Sequence, residues 1–201
     1  MERMKTRGEG TLHIVSLPIG NMADITLRAI AVLRSVDFIV AEDTRTTRRI
    51  LTRYRIKTPF FSSLYQGAEQ RRTEAILKLL VEGKDVALVS DAGTPLISDP
   101  GYPLVRAAVE RGIRVTPIPG PTGAIAALVA SGLPTDRFTF FGPVPRRPGE
   151  MERLFERLRE WAGTSIVYPS PHRLSSTPVS YTHLRAHETP EHLVCRLLLE
   201  K

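Results

Sequence analysis

A chain of 201 residues with 28 Lys and Arg against 21 Asp and Glu holds a surplus of seven positive charges, which favours a polyanionic partner. Its single cysteine, Cys195, excludes a disulfide framework, and His13 and His172 are the only histidines outside residues 179–201, too few for a His/Cys metal cluster. No apolar run reaches the length of a membrane span, and residues 1–10 are charged without an apolar centre, so they read as a flexible basic arm and a cytoplasmic protein is expected.

In chain order, the first apolar run (Leu12, His13, Ile14, Val15, Ser16, Leu17) reads as a buried strand that breaks at Pro18, Ile19, Gly20 and Asn21. A helix is expected next, with Asp24 as N-cap and Leu27, Ile30 and Leu33 buried. Residues 37–41 form a second strand that runs into Glu42, Asp43, Thr44 and Arg45, and a basic helix follows Thr44. A third helix is expected over 69–82, with Ile76, Leu77 and Leu80 inward. The strand over 85–90 ends in the run VSDAGTP at 89–95. This turn carries an acid, a hydroxyl, a glycine that lets a ligand approach the backbone, and a proline that stiffens the exit. A loop over 94–103, a helix over 104–111 and a strand over 114–118 lead to Pro119, Gly120, Pro121, Thr122 and Gly123.

The Pro/Gly cluster at 117–123 marks the expected boundary between an N-terminal α/β domain, residues 11–118, and a second domain, residues 119–178. Beyond it an Ala-rich helix to Ser131, a strand over 137–141, a helix over 150–161 and a strand over 164–168 are expected. Met151, Leu154, Phe155, Leu158 and Trp161 share one face of that last helix, which places the tryptophan in the core. Four buried-type strands, each ending in Gly/Pro or charge and followed by a helical pattern, describe a parallel α/β sheet with functional loops along one edge. One such loop would be an ordinary turn, since Gly, Pro, Asp and Ser are the usual turn residues; four together carry more.

No GxGxxG, P-loop or GxSxG elbow is present, which leaves Gly/Pro loops that wrap a small ligand with backbone groups. The runs PIGN at 18–21, AEDTR at 41–45, VSDAGTPLISDPG at 89–101 and PGPTGAIAAL at 119–128 resemble the bacterial small-subunit rRNA ribose 2′-O-methyltransferase I family. That family belongs to the tetrapyrrole-methylase superfamily. GLPTDRF at 132–138, FFGPVPRR at 140–147 and YPSPHRL at 168–174 continue the likeness, which covers residues 11–174. The family usually has Glu where Pro169 stands, and a His/Asn-rich run where Tyr65, Gln66, Gly67 and Ala68 stand.

The resemblance implies an α/β, tetrapyrrole-methylase-like fold of the class III methyltransferases, with S-adenosylmethionine (SAM) folded into a cleft between two domains. Pro18, Ile19, Gly20, Ser90, Asp91, Ala92, Gly93, Thr94, Pro119, Gly120, Pro121 and Thr122 would contribute to the SAM pocket. It also implies 2′-O-methylation of a cytidine ribose in the decoding region of 16S rRNA, the small ribosomal subunit as partner, and a homodimer.

Methyl transfer to a ribose hydroxyl needs in-line alignment and removal of a proton, and near-attack geometry alone is worth up to roughly 7–11 kcal/mol. Glu42, Asp43 and Asp91, at strand ends, are the candidates to act as base or to orient the hydroxyl. Arg45, Arg48 and Arg49, in the basic cluster at 45–49, and separately Arg173 with His172 are candidate RNA contacts, and further basic clusters stand at 53–57, 71–72 and 146–147. Arg45 has two readings, phosphate ligand or ion-pair partner of Asp43, and any one cluster also fits a solvated face. No metal is expected.

Residues 179–189, VSYTHLRAHET, look like a translated transposase sequencing adapter, and 193–201, LVCRLLLEK, resemble the flow-cell end of the same adapter. Residues 179–201 are therefore expected to be non-native, and the chain to be cut inside its second domain, inactive and poorly soluble as written. The tail holds Arg185, Arg196 and Lys201 against Glu188, Glu191 and Glu200, so the positive surplus does not depend on it. Two rival readings are a same-fold methyltransferase acting on a tetrapyrrole or a protein side chain, and a non-catalytic RNA-binding module. The AEDTR and SDAGTPLISDPG runs and the basic surplus argue against the first. The second has no need of Gly/Pro loops converging on one cleft.

Overall fold

Strands that are apolar on both sides need helices on both sides, and the first 122 residues form one compact unit that meets this need. The computed structural model describes residues 8–63 and 69–170, together with the backbone of Leu193–Val194. Five parallel strands, β1 (Thr11–Val15), β2 (Phe38–Ala41), β3 (Phe60–Ser63), β4 (Val86–Val89) and β5 (Arg114–Ile118), lie in the order β3-β2-β4-β1-β5. β4 is buried at every residue, as a strand enclosed on both faces must be.

Helices α1 (Leu27–Ser35) and α2 (Thr44–Arg53) cover one face, packing Ala29, Leu33, Ile50 and Leu51 against Val15, Ile39 and Val89. Helices α3 (Glu69–Val81) and α4 (Tyr102–Glu110) cover the other, through Ile76, Leu77, Leu80, Leu104 and Ala108. Each buried Leu, Ile or Val among them contributes about 1.5–3 kcal/mol by leaving water. The helices after β1 and β2 thus lie on one face and the helix after β4 on the opposite face. Because β4 sits between β2 and β1, its C-terminal loop leaves between neighbours that turn the other way, which makes the carboxyl end of β4 a topological switch point.

Three local expectations are corrected. Thr26, not Asp24, caps α1, its hydroxyl accepting from the Ala29 N–H at 3.0 Å, because Asn21 first caps a 3-10 turn (Met22–Asp24). The helix buries Ala29 and Leu33, with Ile25 buried just before it, while Ile30 is half-buried and Leu27 is 86 % exposed. Strand β3 is not announced by the sequence pattern, yet it pairs with β2 and forms the sheet edge. Trp161 is not core. It stands past the end of its helix with extended backbone, 43 % exposed, its ring edge-on to Phe141 at 6.4 Å.

The described residues from Gly123 onward belong to a second compact unit. In it α5 (Gly123–Ala130), β6 (Phe138–Pro143), α6 (Pro148–Glu160) and β7 (Thr164–Tyr168) are well formed, with β6 and β7 parallel. Leu154, Phe155, Leu158 and Val167 make one core cluster, and Ala124, Leu128 and Ile166 another. The two described residues of the tail, Leu193–Val194, run parallel along β7 as β8. Arg173, the run at 65–68 and the rest of 179–201 lie outside the described residues. No helix among the described residues is long and apolar enough to cross a membrane.

Candidate functional site

The loop after β4, residues 90–94, is the knot that ties the other strand-end loops together. Toward β1, the Leu17 N–H donates to the Gly93 carbonyl at 2.8 Å and the Gly93 N–H returns a bond to the Leu17 carbonyl at 3.0 Å. The Ser16 and Thr94 hydroxyls are 2.9 Å apart. Thr94 Oγ1 donates onward to the Pro121 carbonyl beyond β5 at 3.1 Å, so Ser16 is the donor to Thr94. Toward β2, the Asp43 N–H donates to Asp91 Oδ1 at 3.0 Å, and the Asp91 backbone N–H in turn bonds the Glu42 carboxylate. One turn therefore fixes three neighbours.

Two glycines allow that closeness. A Cβ on Gly120 would stand 2.9 Å from Ser16 Cβ, inside any real contact. Gly93 has φ +73, and a Cβ there would meet Ile19 Cγ2 at 3.2 Å. Both glycines thus serve loop-on-loop packing. Gly20 and Ala92 are exposed and Gly120 is half-buried, giving a rim of small residues, with Pro119 exposed and Pro121 and Thr122 half-buried beside it. Pro18 and Ser90 are buried and Ile19 is half-buried. Leu96 and Ser98 adopt left-handed backbone, at φ 76 and φ 70. Such conformations cost a side-chain-bearing residue roughly 1–3 kcal/mol and concentrate at functional loops.

The carboxylates divide by environment. Glu42 is pushed up from the ordinary carboxylate range, first by burial, then by the negative charges of Asp99 and Asp91. Burial also raises Asp91 and Asp99, while the Ser90 hydroxyl donates to the Ala92 carbonyl at 3.1 Å. Asp43 is held low by its hydrogen bonds from Arg45. It caps α2 by accepting from the Arg45 N–H at 2.7 Å, and Arg45 Nη2 meets its Oδ2 at 2.7 Å. Of the three acids singled out by sequence, Asp43 is thus engaged as cap and ion pair, while Glu42 and Asp91 face the loop cluster with weakened acidity. Arg45 adopts the ion-pair reading, with its side chain 90 % exposed. Arg48 lies over the Phe60 ring, 5.9 Å from its centroid, and Arg49 is exposed.

Sequence reasoning missed Asp99 and Ser16. Asp99 carried a signal: Ser98 and Asp99 echo Ser90 and Asp91 eight residues earlier. Ser16 carried none, being one polar residue in an apolar strand run. No group of three His, Cys, Asp or Glu able to hold a metal occurs among the described residues.

A parallel sheet whose strand-end loops are knotted at the β4 switch point has the α/β architecture in which ligands generally bind beyond the carboxyl ends of the strands. The family of Tetrapyrrole (Corrin/Porphyrin) Methylases matches residues 11–198, and the chain belongs to it. The chain is 50 % identical over 166 residues to the ribosomal RNA small subunit methyltransferase I of Xylella fastidiosa, covering 83 % of this chain and 60 % of that protein. It is 46 % identical over 169 residues to the protein of the same name from Halalkalibacterium halodurans, covering 84 % of this chain and 58 % of that protein. The chain thus spans somewhat under two thirds of the length of these relatives. Among solved structures, a diphthine synthase superposes with a TM-score of 0.66 at 16 % identity, over 81 % of this chain and 65 % of that one, a likeness of fold.

Proposed function

We propose that this chain belongs to an enzyme that transfers the methyl group of SAM to a cytidine ribose 2′-OH in 16S rRNA. The observation that carries the reading is the knot of loops at residues 16–20, 42–43, 90–94 and 119–122, in a chain about half identical to proteins named ribosomal RNA small subunit methyltransferase I. The residues fit the cofactor. The exposed small residues Gly20 and Ala92 admit a ligand to the backbone, and the carboxylates suit its positive charge. Bound SAM supplies an electrophilic methyl group.

The chain's own residues do the rest. The fixed loops hold the cofactor without reorganisation, which favours near-attack geometry. Glu42, its pKa raised toward the working range, takes the proton of the ribose hydroxyl, and Asp91 orients Glu42 through its own backbone N–H. Asp43 and Arg45 hold the start of α2 in place. Arg48, Arg49 and Arg173 contact RNA phosphates. The substrate is the assembled small subunit, the working form is a homodimer, and the site of action is the cytoplasm, where ribosomes are.

Label from methyl-tritiated SAM, incubated with the full-length protein and unmodified small subunits, is expected on cytidine ribose after digestion to nucleosides. Label on the base, on a tetrapyrrole acceptor instead of rRNA, or nowhere would overturn the reading.

A further inference from the structure

Residues 44–68 contain Arg45, Arg48, Arg49, Arg53, Arg55 and Lys57 and not one Asp or Glu. The structure turns this bias into a face. Helix α2 buries Thr47, Ile50 and Leu51, which leaves Arg45, Arg48, Arg49 and Arg53 on the exposed side, and Arg55 and Lys57 continue the exposed run past its end. Elsewhere on the same unit, Lys78 pairs with Glu82, Lys84 with Asp37, Arg106 with Glu110 and Arg111 with Glu74, while Arg28 and Arg114 stand singly, with no second basic residue beside them to make a row. Among the described residues, Arg48, Arg49, Arg53, Arg55 and Lys57 form no ion pair with a carboxylate. Arg49 and Arg53 are one helical step of four apart, about 6 Å along the axis, where like charges repel. A helix that keeps such a row uncompensated gains nothing from it internally.

Resting on the rRNA reading above, we propose that the exposed face of α2, through Arg49, Arg53, Arg55 and Lys57, is the track on which the phosphate backbone of the RNA substrate docks. The partner follows from charge complementarity, since a phosphate strand presents repeated unit charges to a row of guanidinium groups. Place supports it as well. Helix α2 begins at Thr44, directly after Glu42 and Asp43, so a strand held along it is delivered to the loop knot. Such contacts set position and register, and carry no base sequence.

The test is fluorescence anisotropy of the full chain with a labelled single-stranded RNA, titrated over a salt series without SAM. Arg49→Gln with Arg53→Gln is expected to weaken binding and to flatten the plot of log affinity against log salt by about 0.7 per arginine removed. Circular dichroism should show the helix retained. The control, Lys78→Gln with Arg106→Gln, removes the same charge from paired residues on α3 and α4 and is expected to leave the slope as in wild type. A control as damaging as the α2 variant would overturn the proposal, as would an unchanged slope in the α2 variant. Loss of binding to anionic phospholipid vesicles with RNA binding intact would overturn it in favour of a membrane partner. The RNA titration needs no methyl transfer, so failure of the enzymatic reading appears in the transfer assay while the slope still decides the track.

Discussion

Carboxylates stitch both edges of the five-stranded sheet, but they do different things at each. At the edge where the strands begin, the Thr11 N–H donates to Asp85 Oδ1 at 2.8 Å, the Asp85 N–H donates to Asp37 Oδ2 at 2.8 Å, and Lys84 pairs with Asp37 at 3.3 Å. Acids, amides and a cation there satisfy one another. At the edge where the strands end, Glu42, Asp91 and Asp99 gather, and Arg45, the cation that acts on Asp91, is ion-paired with Asp43. Burial and mutual repulsion raise their pKa values, two residues bear left-handed backbone, and glycines let the loops touch. The same sheet thus carries a relaxed edge and a costly one. A fold retains local cost where the site needs the arrangement.

The largest expected effect falls on chemistry at the costly edge. Glu42→Gln keeps an oxygen to accept the Asp91 N–H but cannot take a proton, so kcat should fall about 10²–10⁴-fold, with SAM affinity retained by calorimetry. Undiminished turnover would assign proton removal elsewhere. Next in size is Gly120→Val. Its Cβ must displace Ser16, so a loss of about 1–3 kcal/mol in urea unfolding should accompany loss of SAM binding. Loss of binding without loss of stability would mean that the glycine serves only ligand approach.

At the relaxed edge, Asp85→Ala removes the acceptor of the Thr11 N–H and should cost about 1–3 kcal/mol of stability while leaving SAM affinity as in wild type. A matching drop in affinity would erase the distinction between the edges.

The smallest effect is a pH dependence. Glu42, Asp91 and Asp99 are raised in the folded state, so they favour folding in acid, and that contribution is lost as pH rises through their folded values. Asp43, lowered, acts oppositely, its contribution present at neutral pH and lost on acidification. Combining Glu42→Gln with Asp99→Asn should therefore raise the melting temperature at neutral pH, with the gain vanishing in acid. A gain that persists in acid would trace to packing instead of charge.

Much of this contrast was legible in sequence, for definite reasons. Four strands were readable because continuous apolar runs ended in Gly, Pro or acid, and the loops at 18–21, 41–45, 89–101 and 119–123 stood out by composition. β3 was not readable, since Phe60, Phe61, Ser62 and Ser63 form too short a run for a period to show. The start of α1 was misplaced because Asp24 and Thr26 are both good caps, and only the 3-10 turn chooses between them. Trp161 kept the helical period of α6 on paper but stands beyond the helix end. Within the site, Asp91 and Glu42 were nameable as acids at strand ends. The bonds that link Glu42, Asp43 and Asp91 through the Asp43 and Asp91 amides, and the part of Asp99, depend on loop conformations that no spacing encodes.

The central claim is that SAM is held at the edge where the strands end. Backbone hydrogen exchange of the full-length protein, with and without SAM, reads both edges at once. Slowed exchange is expected at Gly20, Asp91, Ala92 and Gly120, with Gly10, Thr11 and Asp85 unchanged. Protection at Gly10, Thr11 and Asp85, or no protection at the loop knot under saturating SAM, would contradict it.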